Sequence, residues 1–488
     1  MSDISLPPFL ELFFELWWPN LLAVFLFGLS LVASLHVIMN KRQPSAAISW
    51  SGLIWLSPFF GAVFYWILGI NRIKRRALIL RGSKNLDLTH HRQAKDELLP
   101  KTFARPFQEI AQYGHSAHPI PLTAGNHVEV YVNGDEAYPQ MLEWIRQAKQ
   151  TIFLSSYIFD NDAIGNEFVK ALGHARDRGV LIRVLVDGTG SRYSFPSIMG
   201  KLKGCKIVAA RFLPNFVPWH MAYLNLRNHR KLLIVDSHTA FTGGMNIRQG
   251  NLVNQVSPQK AICDLHFKVQ GPVLWDMLKT FIEDWYFATG EDLQRFLENV
   301  ASPSTGQVYA RGLADGPDLE EERILGVILA ALRAAKRSIR IMTPYFVPDT
   351  ALVQSLTTAA MSGVDVEIII PARNNLRIVG YATNAILPEL LQGACQVFAS
   401  APPFDHSKIA LVDDSWCMIG SSNWDTRSFR LNFEFNVECF DPQLTTQLTA
   451  IFNAKKLNSL PINRQDVEAI GPLKTLRNRS ARLFSPYL

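Results

Sequence analysis

Two long apolar runs dominate the hydropathy pattern, and both lie near the N-terminus. Residues 20–39 contain no Asp, Glu, Lys or Arg, and neither do residues 46–70. At ~1.5 Å of rise per residue, either run can cross a hydrocarbon core ~30 Å thick. The short stretch 40–45 between them carries Lys41, Arg42 and Pro44, which suits a tight turn. The pattern predicts a transmembrane hairpin within residues 1–72, with spans at about 20–39 and 46–70 and with Pro58 placed to kink the second. Trp17, Trp18, Trp50, Tyr65 and Trp66 lie toward the ends of the runs, where interfacial anchors belong. A cleavable signal peptide would open on basic residues, whereas Asp3, Glu11 and Glu15 precede the first run. Both runs are too long and too free of charge for a core hairpin of a soluble protein.

A hairpin leaves both of its ends on one side of the membrane. Arg72, Lys74, Arg75, Arg76, Arg81 and Lys84 follow the second run, against Lys41 and Arg42 in the turn. The positive-inside rule then puts the rest of the chain in the cytoplasm, as a multi-pass protein of the cell membrane. The same cluster can hold anionic headgroups, at ~1 kcal/mol for each basic residue near the surface.

Beyond the runs the periodicity changes. Residues 73–125 are mixed and polar, a linker with a helical stretch. From about residue 126, strand patterns alternate with helical ones. A strand ending near Tyr157, a helix over 164–178, Gly179 and a strand over 180–186 make one unit. A strand ending near Tyr345, a helix, Gly363 and a strand over 364–370 repeat it. The expected fold is α/β: two similar halves over 126–300 and 313–455, with sheets covered on both faces. A Ser-, Pro- and Gly-rich linker over 301–312 separates them, and a basic tail over 456–488 follows.

Composition adds three points. A chain of 488 residues exceeds one ordinary domain, and its 48% apolar content owes its excess to the N-terminus. The net charge of +7 favours anionic partners, and the apolar runs point to membrane lipid rather than nucleic acid. Cys205, Cys263, Cys395, Cys417 and Cys439 are scattered without a C-x-x-C pair, as reduced thiols rather than a disulfide framework or zinc site.

The chemistry lies in a duplicated motif. The first copy reads His229-x-Lys231, then Asp236, Gly243-Gly244 and Asn246; the second reads His406-x-Lys408, then Asp413, Gly420-Ser421 and Asn423. The same spacing separates the two histidines and the two leading glycines. Each histidine opens a β-branched, aliphatic strand, so His and Lys project from one face. Neutral imidazole can attack the phosphorus of a phosphodiester, and imidazolium can protonate the leaving alkoxide. Lys231, Lys408, Asn246 and Asn423 can bind the non-bridging oxygens and stabilise transition-state charge. Asp236 and Asp413 close the catalytic motif, with a positional role at the lysines or strand ends. Each imidazole requires a carboxylate on its other nitrogen, and Asp264 and Glu434 are the candidates. No metal or other cofactor is expected: the ammonium groups would repel a cation, and no second His or Cys stands at ligand spacing. His220 and His238 read as surface or structural histidines.

These residues resemble the phospholipase D superfamily, and with the apolar runs the whole chain resembles its two-spanning bacterial cardiolipin synthases. Arg42-x-Pro44, Pro58-x-x-Gly61-x-x-x-Tyr65-x-x-x-Gly69, the stretch from Thr343 to Pro348, Asn423-Trp-Asp425-Thr-Arg427-Ser428 and the terminal Ser485-Pro-Tyr-Leu488 all carry the likeness. The resemblance implies two α/β halves sharing one active site. It implies phosphatidyl transfer between two phosphatidylglycerols, releasing glycerol and making cardiolipin, in the bacterial inner membrane. It makes His229 the nucleophile, through a phosphatidyl-histidine, and His406 the acid and base. Gly244 departs from the commoner serine of the first motif and removes a hydroxyl there.

Two segments are open to two readings each. Residues 212–223, crowded with aromatics, form either a lid or a loop packed on the core. The tail over 473–484 mixes Leu with Lys474, Arg477, Arg479 and Arg482, as an interfacial helix or a solvated one. Rival functions are a lipid hydrolase, another phosphatidyltransferase or a nuclease of the same chemistry, and a membrane scaffold with a retired site. Two intact motifs oppose the scaffold, and the apolar runs oppose the nuclease. Oligomeric state has no sequence signature here.

Overall fold

The computed structural model describes residues 17–41, 44–69, 97–117, 120–213, 227–298, 300, 305–316 and 322–485. The basic cluster over 72–84, His220 and most of the aromatic segment 212–223 lie outside the described residues. The chain divides into two compact units, residues 1–76 with 218–222, and residues 77–217 with 223–488.

In the N-terminal unit, the helix Trp18–Asn40 is long and apolar enough to cross a membrane. The second run differs from the expected single span. It forms a helix over Pro44–Leu56, leaves helical geometry at Ser57 (φ −145°, ψ 79°), and resumes over Pro58–Phe64 and a wider turn at Tyr65–Gly69. The second arm folds back on the first: the rings of Trp50 and Tyr65 are 5.5 Å apart. Lys41 Nζ donates to the Gly69 carbonyl at 2.6 Å, so the run ends at the level where it began. Tyr65 and Trp66 gather round His36, whose Nδ1 is 2.8 Å from the Tyr65 hydroxyl. Pro58 has no N–H to continue the first arm's ladder. A Cβ on Gly61 would sit 2.4 Å from the Leu53 carbonyl oxygen, so only glycine admits this close return. An arm of 13 residues reaches about 20 Å, short of a full crossing.

Among the described residues the second unit is built on a sheet of fifteen strands, with two small two-stranded sheets beside it. The first half contributes β1 (Thr123–Val132), β2 (Thr151–Ser156), β3 (Leu181–Asp187), β4 (Ala209–Phe212), β5 (Leu232–Val235), β6 (Thr239–Gly243), β7 (Ile262–Cys263) and β8 (Leu265–Gln270). The second contributes β9 (Val308–Asp315), β10 (Ser338–Met342), β11 (Phe346–Val347), β12 (Asp365–Pro371), β13 (Gln396–Ser400), β14 (Phe404–Asp405), β15 (Ile409–Val412), β16 (Trp416–Gly420), β17 (Trp424–Asp425), β18 (Glu434–Phe440) and β19 (Ser459–Pro461). The order β19-β13-β12-β10-β15-β16-β18-β9-β1-β8-β6-β5-β2-β3-β4 is nearly palindromic about the antiparallel β9–β1 contact. The two small sheets are β7 with β14 and β11 with β17. Each half pairs two parallel strands, β2–β3 or β10–β12, and sets the motif strand antiparallel beside them. The motif strands β5 and β15 are buried along their whole length, which is why they read as continuous aliphatic runs.

The expected boundaries shift where strands intrude. β9 occupies residues counted in the 301–312 linker, because pairing with β1 and β18 satisfies its backbone. The 73–125 segment holds a helix, Arg105–Ala117, whose Ala111 carbonyl accepts from the buried Arg311 guanidinium at 3.2 Å. The tail beyond 456 extends the sheet with β19 on β13 and ends in the helix Pro472–Arg482.

Candidate active site

The two halves are stitched together at the motifs. The His229 amide donates to Phe433 O at 2.9 Å and the Phe433 amide to Arg227 O at 2.8 Å. Symmetrically, β14 pairs in parallel with β7, and the His406 amide donates to Cys263 O at 2.7 Å. Each motif therefore begins beside the residue that precedes a carboxylate of the other half.

The side chains follow the backbone. His229 Nδ1 lies 3.0 Å from Glu434 Oε1, and His406 Nδ1 lies 2.8 Å from Asp264 Oδ2. The four groups are buried. Both predicted carboxylates thus meet imidazoles, and the pairing crosses between halves. With Nδ1–H donated to a carboxylate, each Nε2 keeps its lone pair. Ser421 Oγ and Asn432 Nδ2 also donate to Glu434, the latter at 3.1 Å. Lys231 Nζ donates to the His229 carbonyl at 2.5 Å, and Lys408 Nζ to the His406 carbonyl, with its nitrogen 2.9 Å from His406 Nδ1. The Tyr157 ring stands edge-on to His229 at 5.2 Å, and Tyr345 to His406 at 6.2 Å.

Burial sets the charges. It pushes both imidazoles down to about 4, so both are neutral at physiological pH. It lowers Lys231 to about 7 and Lys408 to about 8. Burial alone would raise Glu434, but the adjacent His229 and Lys231 outweigh it and hold the carboxyl below its ordinary value. The site sets a pair of neutral imidazoles beside two easily deprotonated lysines, where a bound anion would strengthen every positive charge.

Other predicted residues lie differently. Asp236 accepts from the amides of Lys149, Gln150 and Thr151 at 2.8, 2.7 and 2.8 Å, and Asp413 from those of Lys336, Arg337 and Ser338. Both carboxylates sit in left-handed turns at the far ends of the motif strands, where they cap the entry to β2 and β10. Of the two positional roles expected for them, at the lysines or at the strand ends, their contacts are those of the strand ends. Asn246 Oδ1 accepts from Ile158 N at 3.0 Å, which leaves its amide NH2 for a ligand. Asn423 instead turns Nδ2 to Ser428 Oγ at 3.4 Å. The glycine at 244 has a physical reason. A Cβ there would lie 2.3 Å from Asp264 Oδ1, because aspartate keeps its carboxylate closer to the backbone than Glu434 does. His238 Nδ1 meets Thr239 Oγ1 at 3.1 Å in a turn, as a structural histidine.

Sequence reasoning missed a buried support. Arg230, inside the first motif, bonds Asp284, the Glu434 carbonyl at 2.9 Å and the Asp315 carbonyl at 2.8 Å. In the second motif Lys455 reaches Asp405 and, at 3.1 Å, Ser407 Oγ. For Arg230, a charged residue just before a buried motif strand was the available signal; Lys455, on the helix Pro442–Leu457, had none. Tyr157 and Tyr345, each after a central strand, had none beyond their matching positions. Among the described residues no group of three or more His, Cys, Asp or Glu is placed to hold a metal ion, and all five cysteines are free.

A duplicated α/β body with one histidine–lysine pair from each half defines the phospholipase D-like class. The family described as "Cardiolipin synthase, PLD-like domain" matches residues 141–258 and 328–456, and "Phospholipase D-nuclease N-terminal" matches residues 28–69. The cardiolipin synthase of Alkalihalophilus pseudofirmus is 30% identical over 98% of this chain and 95% of its own length. Cardiolipin synthase A of Pseudomonas putida is 30% identical over 94% of this chain and 96% of its own length. Phosphatidylserine synthase of Haemophilus influenzae shares the fold at a TM-score of 0.61 and 17% identity, over 78% of this chain and all of that one. The chain belongs to the cardiolipin synthase family of phosphatidyltransferases.

Proposed function

We propose that the chain joins two phosphatidylglycerols into cardiolipin and glycerol. The observation that carries the mechanism is the crossed pairing of His229 with Glu434 and His406 with Asp264. His229 Nε2 attacks phosphorus, the bond to the headgroup oxygen breaks, and that oxygen takes a proton from His406 to leave as glycerol. The phosphodiester's negative charge raises the proton affinity of His406 for this step. The primary hydroxyl of a second phosphatidylglycerol then gives its proton back to His406 and attacks the phosphatidyl-histidine, which forms cardiolipin and frees His229. Lys231, Lys408 and Asn246 bind the non-bridging oxygens, and Asn423 joins them with the amide hydrogen that Ser428 does not take. Transfer outruns hydrolysis because a held alcohol gains an effective molarity of ~10⁵ M or more over bulk water.

The protein associates with membranes, its lipid partner. We place its body on the cytoplasmic face of the inner membrane, because the basic cluster over 72–84 follows the second apolar run. The test is product analysis by mass in vesicles of pure phosphatidylglycerol. Cardiolipin and glycerol are expected, with phosphatidic acid a minor product. Dominant phosphatidic acid would make the chain a hydrolase.

A further inference from the structure

The catalytic histidines stand at the carboxyl ends of β2 and β10, each against a tyrosine that follows the strand, Tyr157 or Tyr345, and the loops after the neighbouring parallel strands β3 and β12 adjoin these tyrosines. After β3, Tyr193 is 58% exposed and Phe195 fully exposed. Tyr193 is tied to the centre, its ring 6.2 Å from Tyr157, which stands against His229. After β12, Leu376 and Ile378 are exposed. Their neighbour Asn375 accepts a 2.9 Å hydrogen bond from the hydroxyl of Tyr345, which stands against His406. Exposed apolar side chains therefore lie near both half-sites, in loops whose Tyr193 and Asn375 touch the rings that pack on the histidines.

The C-terminal helix extends this face. Pro472–Arg482 packs on the helix Arg377–Asn384, with the Arg477 guanidinium 3.8 Å over the Tyr381 ring and Asn478 and Ala481 buried. Its outer side leaves Leu473, Leu476 and Leu483 exposed at 82%, 65% and 80%. Charge points the same way. Residues 190–204, 372–388 and 469–488 contain no Asp or Glu, yet carry Arg192, Lys201, Arg373, Arg377, Lys474 and Arg479 among others. Basic residues interleaved with apolar ones, with Glu389 paired to Arg482 at 3.7 Å as a neighbouring acid, complement an anionic lipid surface: apolar tips enter the acyl boundary and cations meet headgroups.

We propose that this face seats on the bilayer, so that the catalytic mouth opens directly against anionic phospholipid and its substrates enter without crossing water. The choice of lipid rests on the proposed transfer reaction; the seating itself does not. The test uses the full chain in phosphatidylglycerol vesicles, with Phe195→Cys, Leu376→Cys or Leu473→Cys carrying a nitroxide. Signal from native cysteines is subtracted with the unsubstituted chain. Met361→Cys and Val208→Cys serve as controls, since both lie at the amino ends of parallel strands, away from the mouth. The three rim labels should be shielded from an aqueous nickel chelate and reached by oxygen, while the controls stay open to the chelate. Rim labels as open to water as the controls overturn the proposal, whatever else binds there. In a second arm, the triple variant Phe195→Ser, Leu376→Ser, Leu473→Ser should lose about tenfold or more of its turnover on vesicles and keep it on a monomeric short-chain substrate. Equal activity on both overturns the proposal. Shielded labels without any cardiolipin product would leave the seating intact and refute the transfer reaction instead.

Discussion

Replacing Glu434 by Gln tests the crossed pairing most directly. The carboxylate lies 3.0 and 3.1 Å from His229 Nδ1, and its charge stabilises the imidazolium character that His229 acquires on attack. Two unit charges about 4 Å apart interact by about 4 kcal/mol at an effective dielectric of ~20. Ser421 and Asn432 also draw on this carboxylate, so the loss should be about 2–4 kcal/mol, or ~30- to 1000-fold in rate. The Gln amide can also turn its NH2 toward Nδ1 and trap the proton on Nε2, a tautomer that cannot attack. Asp264→Asn applies the same change to His406. The assay is a stopped-flow burst with a phosphatidyl ester of p-nitrophenol, a leaving group that needs no proton. Glu434→Gln should slow the burst by ~100-fold, within the range above. Asp264→Asn should keep the burst within about threefold and slow the turnover that follows, because only that step needs His406 to take a proton. Peptide mass mapping should find the adduct on His229. A burst in Glu434→Gln close to the parent's, or one lost equally in both variants, refutes the assignment of roles.

Three further outcomes follow from the structure. Burial lowers Lys231 and Lys408 to about 7 and 8, so their cationic forms are lost as pH rises through those values, and kcat/KM should fall above pH about 7; neutral His229, the nucleophile, is lost as pH falls through about 4, so its acid limb should lie well below pH 6, and a maximum near pH 10 would contradict this. Gly244→Ala should cost about 1–3 kcal/mol through overpacking against Asp264 and slow turnover after the burst while sparing the burst itself, read in the same stopped-flow assay. Because the second apolar run returns to the level of Lys41, reporters at the N-terminus and C-terminus should lie on opposite sides of the membrane; both on one side would restore the two-span hairpin.

Much of the site was legible without coordinates. Reaction chemistry constrains residue type, and the i, i+2 periodicity of a strand puts His229 beside Lys231 and His406 beside Lys408. The duplication exposed itself through equal spacing. The two carboxylates could be chosen by type, but their partners could not, since Glu434 and His229 are 205 residues apart and meet only because the halves interlock. For the motif aspartates, the sequence left a positional role at the lysines or at the strand ends open. Strand length carries them to the far end of the sheet, where backbone amides claim them. Likewise, the glycine at 244 looked like a lost hydroxyl until Asp264 was seen to fill its space. Hydropathy measured how long the apolar runs are and carried no information on their direction. The break at Ser57 and the contact at Gly61 decide that the second run turns back on itself. Local pattern therefore determined which groups do the chemistry. Long-range packing decided which group holds which, because a hydrogen bond between distant residues depends on how the two halves join, and no short stretch of sequence encodes that.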